Sequence, residues 1–94
     1  MTWIRTVPIA EADAKLKHAM EAQKSLYPKE YATPTHVVPE GEAAMIVASH
    51  SLIPDALYHA FSTFGALMSP DLPLERRQHE MIATMVSVTN RCVY

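Results

Sequence analysis

The chain has one cysteine, two glycines and no apolar run longer than the six residues Ala43–Ala48, and each scarcity closes a class of protein. A single cysteine makes no internal disulfide, so the thiol is inert filling, a reactive group, or one half of a pair. Six apolar residues are far too few to cross a bilayer, and Trp3-Ile4-Arg5-Thr6-Val7-Pro8 lacks the apolar stretch of an export signal. The expectation is a cytoplasmic protein with no membrane partner. Excess charge is missing too: the net charge is −2 and both signs are spread along the chain, which leaves no electrostatic footprint for nucleic acid.

What is present is apolar mass. Residues of that kind make up 49% of 94, enough for one small domain that buries roughly 60 to 65% of its unfolded surface. With few glycines and no strand-like alternation after the first seven residues, helical spacing dominates and an all-α fold is expected. A first helix is predicted from Pro8 to about Ser25, with Ile9, Leu16, Ala19, Met20 and Gln23 on one face and Glu11–Lys15 and Lys17–Glu21 as four-residue ion pairs. Pro28, Pro34 and Pro39 mark the stretch from Tyr27 to Pro39 as an extended connector. A second helix, apolar nearly all round and so buried on most sides, is predicted from Glu40 to Leu52. Pro54 opens a third, with the stripe Leu57, Phe61, Phe64 and Met68. Pro70–Pro73 breaks it and starts a fourth, with Leu74, Met81, Ile82, Met85 and Val88 at helical spacing and Asn90, tolerant of the left-handed conformation, as its stop.

Two residues stand out as chemistry. Cys92 follows the helix-ending Asn90, and entry into a further helix there would favour its thiolate, since a free thiol of pKa ~8.5 is mostly protonated at neutral pH. Glu80 has Ala83, Thr84 and Ser87 on its own face, small residues that let another backbone approach; the alternative is a surface carboxylate paired with Arg76 or Arg77. On a continuous helix Glu80 and Cys92 would stand about 18 Å apart, so their meeting needs the chain to fold back. The five histidines do not have metal-ligand spacing: His79-Glu80 begins like a zinc-protease motif, but Ala83 stands where the second histidine belongs. His50 and His59 fall on different helices, His18 and His36 look solvent-exposed, and satisfied or solvated imidazoles are the expectation. The methionines and phenylalanines read as core, and Ser51 and Ser69 as helix caps.

The stretch Leu74-x5-Glu80-x-Ile82-Ala83-x2-Val86-Ser87-x2-Asn90-x-Cys92-x-Tyr94 resembles the active-site signature of the AhpD-like superfamily, which includes carboxymuconolactone decarboxylases. It is most similar to the branch of uncharacterised peroxidase-related proteins. The resemblance implies an all-helical bundle, about four helices of it in residues 1–94, forming one domain that is incomplete at its C-terminus. It implies an antioxidant oxidoreductase that reduces hydroperoxides at the expense of a thiol reductant, needs no cofactor or metal, and assembles as a homo-oligomer. Carried over, Cys92 is the first residue of a Cys-x-x-Cys or Cys-x-x-Sec centre and Glu80 the carboxylate of its proton relay. The second redox residue would come directly after Tyr94, where an in-frame UGA for selenocysteine, a fragment boundary or a mutational loss would each account for its absence; the 94 residues alone are expected to be inactive. Two other functions remain open from the sequence: a carboxymuconolactone-decarboxylase-like enzyme that needs no cysteine pair, and a non-catalytic oligomeric helical module.

Overall fold

The computed structural model describes residues 3–32 and 37–93, and among them the chain is all-α, with four α-helices, two short 3-10 turns and no strand. Pro8 does not start the first helix. It precedes a single 3-10 turn, Ile9–Glu11, after which Ala12 is extended and α1 runs Ala14–Lys24. The start is set by Asp13, whose carboxylate accepts from the Leu16 N–H at 2.8 Å. A side-chain acceptor satisfies one of the helix's orphan donors, which Pro8 cannot do. Leu16, Ala19, Met20 and Gln23 form the buried face as the spacing predicts, and Ile9 joins them from outside the helix. Glu11 is therefore not a helical partner of Lys15. Lys15 instead reaches Asp55 of the third helix at 3.1 Å, and Glu21 pairs with Lys24 at 3.6 Å.

The connector after Tyr27 is not extended throughout, because Lys29–Ala32 winds into a 3-10 turn; Pro34 and His36 lie outside the described residues. Gly41, at φ +82°, occupies the position of a Pro39–Glu42 turn that demands a left-handed residue. That turn delays the second helix, and the predicted span from Glu40 to Leu52 shrinks to α2, Met45–Ala48. Its far end is capped early: the Ser49 hydroxyl and the His50 ring nitrogen Nδ1 both donate to the Ile46 carbonyl, at 2.7 and 2.8 Å. Side chains that compete for a carbonyl in this way favour turns over helix. Nor is α2 buried on most sides, for Met45 and Ile46 face solvent while Val47 and the preceding Ala43 meet the core.

Pro54 takes the first turn of α3, Pro54–Leu67, where its missing N–H costs nothing. Leu57 is fully buried, Phe61 packs on the same core, and Met68 closes the helix from a buried position. Phe64 sits on the rim, edge-on to Tyr27 with ring centroids 5.6 Å apart. Lys15 meets Asp55 near one end of the pair and Leu26 meets Gly65 near the other, so α1 and α3 run side by side in the same direction. This is the one extensive helix–helix contact among the described elements, and the core of Ala12, Leu16, Ala19, Met20 and Leu57 fills it.

The fourth helix, α4, runs Arg76–Thr89, with the Gln78 side chain accepting from the Glu75 N–H at 2.8 Å ahead of its first turn. It begins three residues beyond Pro73. Its expected core stripe is outside: Leu74, Met81, Ile82, Met85 and Val88 are all exposed, and His79 is the one buried residue of the helix. The methionines divide accordingly, Met20 and Met68 in the core and Met45, Met81 and Met85 out of it. Periodicity defines an apolar face but not what covers it, and α4 leaves the α1–α3 pair with that face turned away.

Candidate functional site

Cys92 lies just beyond α4, and its position is fixed by how the helix ends. Asn90 stays right-handed at φ −80°, and the left-handed residue is Arg91, at φ +51°. The Arg91 N–H donates to the Val88 carbonyl at 3.0 Å and the Cys92 N–H to the Ser87 carbonyl at 2.9 Å. These two bonds are a Schellman ending, in which the backbone turns back on the last helical turn. The thiol is free and exposed. A non-glycine residue in the left-handed well costs about 1 kcal/mol. Arg91→Gly is therefore expected to stabilise the helix end by about that amount, read as slower amide exchange from Val88 to Cys92; faster exchange would contradict the assignment.

Glu80 is half-exposed on the middle of α4, and Arg76 one turn earlier holds it, with Nε and Nη2 both 2.8 Å from Oε1. The same guanidinium reaches Glu30 at 3.6 Å. Glu80 and Ser87 are two turns apart on one face, about 10 Å of rise, and Cys92 is tied to the end of that face through the Ser87 carbonyl. About two helical turns thus separate Glu80 from the residue that holds the Cys92 backbone, and any proton passing between the two candidates needs an intermediate group. An open apolar groove lined by Met81, Ile82, Met85 and Val86 runs along the helix and ends at Thr89 and Asn90, and Cys92 is not part of its lining.

Other side chains depart from the sequence reading. Ser51 is buried and accepts from the Val7 N–H at 2.8 Å, fastening the N-terminal segment over the core; Ser69 accepts from the Asp71 N–H at 3.3 Å within a loop. Neither caps a helix. His50 is satisfied by Ile46 and lies edge-on to Phe61, while His18 and His59 are exposed. His79 breaks the expected pattern, being 5% exposed with Nε2 buried and unpartnered among the described residues. The sequence signal for it is the run of apolar neighbours Ile82, Ala83 and Val86 at helical spacing from His79. No cluster of three or more His, Cys, Asp or Glu side chains suited to a metal ion occurs among the described residues, and no described helix is long and apolar enough to cross a membrane.

No family model, curated protein or solved structure matches the chain.

Proposed function

We propose that Cys92 is one half of an AhpD-like Cys-x-x-Cys or Cys-x-x-Sec centre that reduces alkyl hydroperoxides, with Glu80 as the carboxylate of its proton relay. The observation that carries the reading is an exposed thiol on a residue whose backbone the Schellman turn fixes at the end of α4. In the proposed cycle the second redox group, directly after Tyr94, attacks the distal peroxide oxygen. The O–O bond breaks, the alkoxide takes a proton and leaves as alcohol, and a sulfenic or selenenic acid remains. The Cys92 sulfur then attacks that sulfur or selenium, water departs, and the resulting S–S or S–Se bond is reopened by two external thiol groups, which leave joined as a disulfide. Glu80 moves protons through a water or a histidine beyond Tyr94. The coding sequence tests this directly. A TGA or cysteine codon after Tyr94, followed closely by a histidine codon, is expected, and any other codon there contradicts the proposal.

The same reading makes the protein a homo-oligomer in which a second copy covers α4. Met81, Ile82, Met85, Val86 and Val88 are each more than half exposed, a contiguous apolar face that a monomer rarely leaves in water. Each such side chain gains on the order of 1 kcal/mol when the remaining half of its surface is covered. Met85→Asp is expected to weaken self-association by about tenfold or more while leaving the helical content unchanged. Sedimentation showing the unsubstituted chain monomeric at micromolar concentration would contradict it. The hold of Arg76 on Glu80 favours one other reading, a non-catalytic helical module, for which no peroxide would be turned over and Glu80→Gln would leave assembly unchanged.

A further inference from the structure

We propose that a second copy of the chain crosses α4 ridge into groove and in the antiparallel sense, so that each α4 fills the groove of the other about a two-fold axis near Met85. This rests on the homo-oligomer reading of the apolar face and adds how the two copies meet.

The shape of the face selects the occupant. Met81, Met85 and Thr89 stand four residues apart in one row, Ile82, Val86 and Asn90 in the next, and these six side chains line the groove on α4. The groove is therefore the trough between two four-residue ridges. A trough of this kind accepts a ridge of the same kind, the commonest packing between helices, with axes crossing at about 50° and about 8–10 Å apart. A second α4 carries such a ridge and offers an identical trough in return, as a two-fold contact requires. Met81, Ile82, Met85 and Val86 are each more than half exposed, so no described element already fills the trough. The unbranched Met81 and Met85 side chains can adjust to the fit.

Charge selects the direction. The apolar stretch is centred between Met81 and Val88; Glu75, Arg76, Arg77 and Glu80 lie to one side of it and Arg91 to the other. The first four balance one another, because Arg76 holds Glu80 and Arg77 holds Glu75. Arg91 has no carboxylate partner among the described residues. In a parallel pair the two Arg91 side chains would stand at the same end with nothing to neutralise them, and the helix dipoles would align. In an antiparallel pair Arg91 falls opposite Gln78 of the second copy, between Glu75 and Glu80 of that copy, and the dipoles oppose.

Cys92 supplies the probe. In the antiparallel register it lies opposite Arg77 of the second copy, whereas within one chain the two positions are separated by about 20 Å of helix. Arg77 is exposed, so Arg77→Cys keeps the fold and gives a chain with cysteines at both positions. At a concentration where this chain sediments as a dimer, a short bis-maleimide should join position 77 of one copy to Cys92 of the other, mapped by mass spectrometry on a mixture of isotope-labelled and unlabelled chains. Ile82→Asp, in the groove, should weaken the dimer by about tenfold or more, and Thr84→Asp, on the Glu80 side of the helix, should leave it unchanged. Links of Cys92 to Cys92 and of 77 to 77 overturn the antiparallel pair while leaving the homo-oligomer standing. A dimer with no link between copies at these positions, or one weakened equally by both aspartates, does the same. A chain that stays monomeric at micromolar concentration overturns both.

Discussion

Leu57→Ala is expected to lower the free energy of unfolding by about 3–4 kcal/mol. Among the described residues Leu57 is the one apolar side chain with no exposed surface at all, and it sits where α3 lies on Leu16 and Met20 of α1. Removing its isobutyl group loses the transfer free energy of the buried carbons and leaves a cavity that its neighbours fill only in part. The loss is felt by the whole domain, because no second core exists among the described residues to share it. Typical small domains hold only about 5–15 kcal/mol, so the variant should unfold at much lower urea. Met85→Ala is the matched control. Its side chain is 63% exposed, and under monomeric conditions the change should stay within about 0.5 kcal/mol. Equal losses in the two variants would mean that the core is not between α1 and α3.

Gly65→Ala is the second large effect, and its sign runs against helix propensity. Alanine favours a helix interior over glycine by about 1 kcal/mol, yet a β-carbon at position 65 would stand 2.7 Å from Leu26 Cβ and 3.4 Å from the Leu26 carbonyl oxygen. Carbon atoms in good contact sit about 3.5–4 Å apart, so α3 or the end of α1 must shift. A net destabilisation of about 2 kcal/mol is expected, since overpacking of this kind costs about 1–3 kcal/mol and the clashing Leu26 β-carbon cannot rotate out of the way. Trimming Leu26 to alanine should not relieve it, because the offending atom is the β-carbon. Leu26→Gly should, so that Gly65→Ala costs little or becomes favourable in that background. A double-mutant cycle by urea unfolding reads the coupling directly, and additive effects would show that the two backbones do not meet.

These sites also show which parts of the structure could be read in advance. The buried quartet Leu16, Ala19, Met20 and Gln23, and the start of α3 at Pro54, follow from spacing and from proline's fixed geometry, which are local properties. The start of α1 was legible in principle through Asp13, but Pro8 offered a competing start, and only the bond to Leu16 decides between them. For α2, apolar composition suggested a long buried helix. The turn at Gly41 delays its start, and the hydroxyl and imidazole at Ser49 and His50 end it early through bonds that depend on rotamers as well as on residue type. On α4 the apolar face was readable and its surroundings were not, since spacing cannot say which neighbour a face meets. The left-handed position fell on Arg91 instead of Asn90 because the Schellman bonds count from the last helical carbonyls, and a one-residue difference in helix length moves that site. Cys92 and Glu80 were visible as residues. That one helix keeps them two or more turns apart, with Arg76 holding the carboxylate, required coordinates.

The redox assignment of Cys92 is the claim on which the functional account rests. It is tested most directly on a chain extended after Tyr94 by a cysteine and a nearby histidine, treated with one equivalent of cumene hydroperoxide and mapped by mass spectrometry. The account predicts a bridge between Cys92 and the added cysteine, formed with release of one equivalent of alcohol, reopened by dithiothreitol, absent in Cys92→Ser, and formed on the order of a hundredfold more slowly in Glu80→Gln. A bridge that forms no faster in the folded chain than in the same chain unfolded in urea would contradict it.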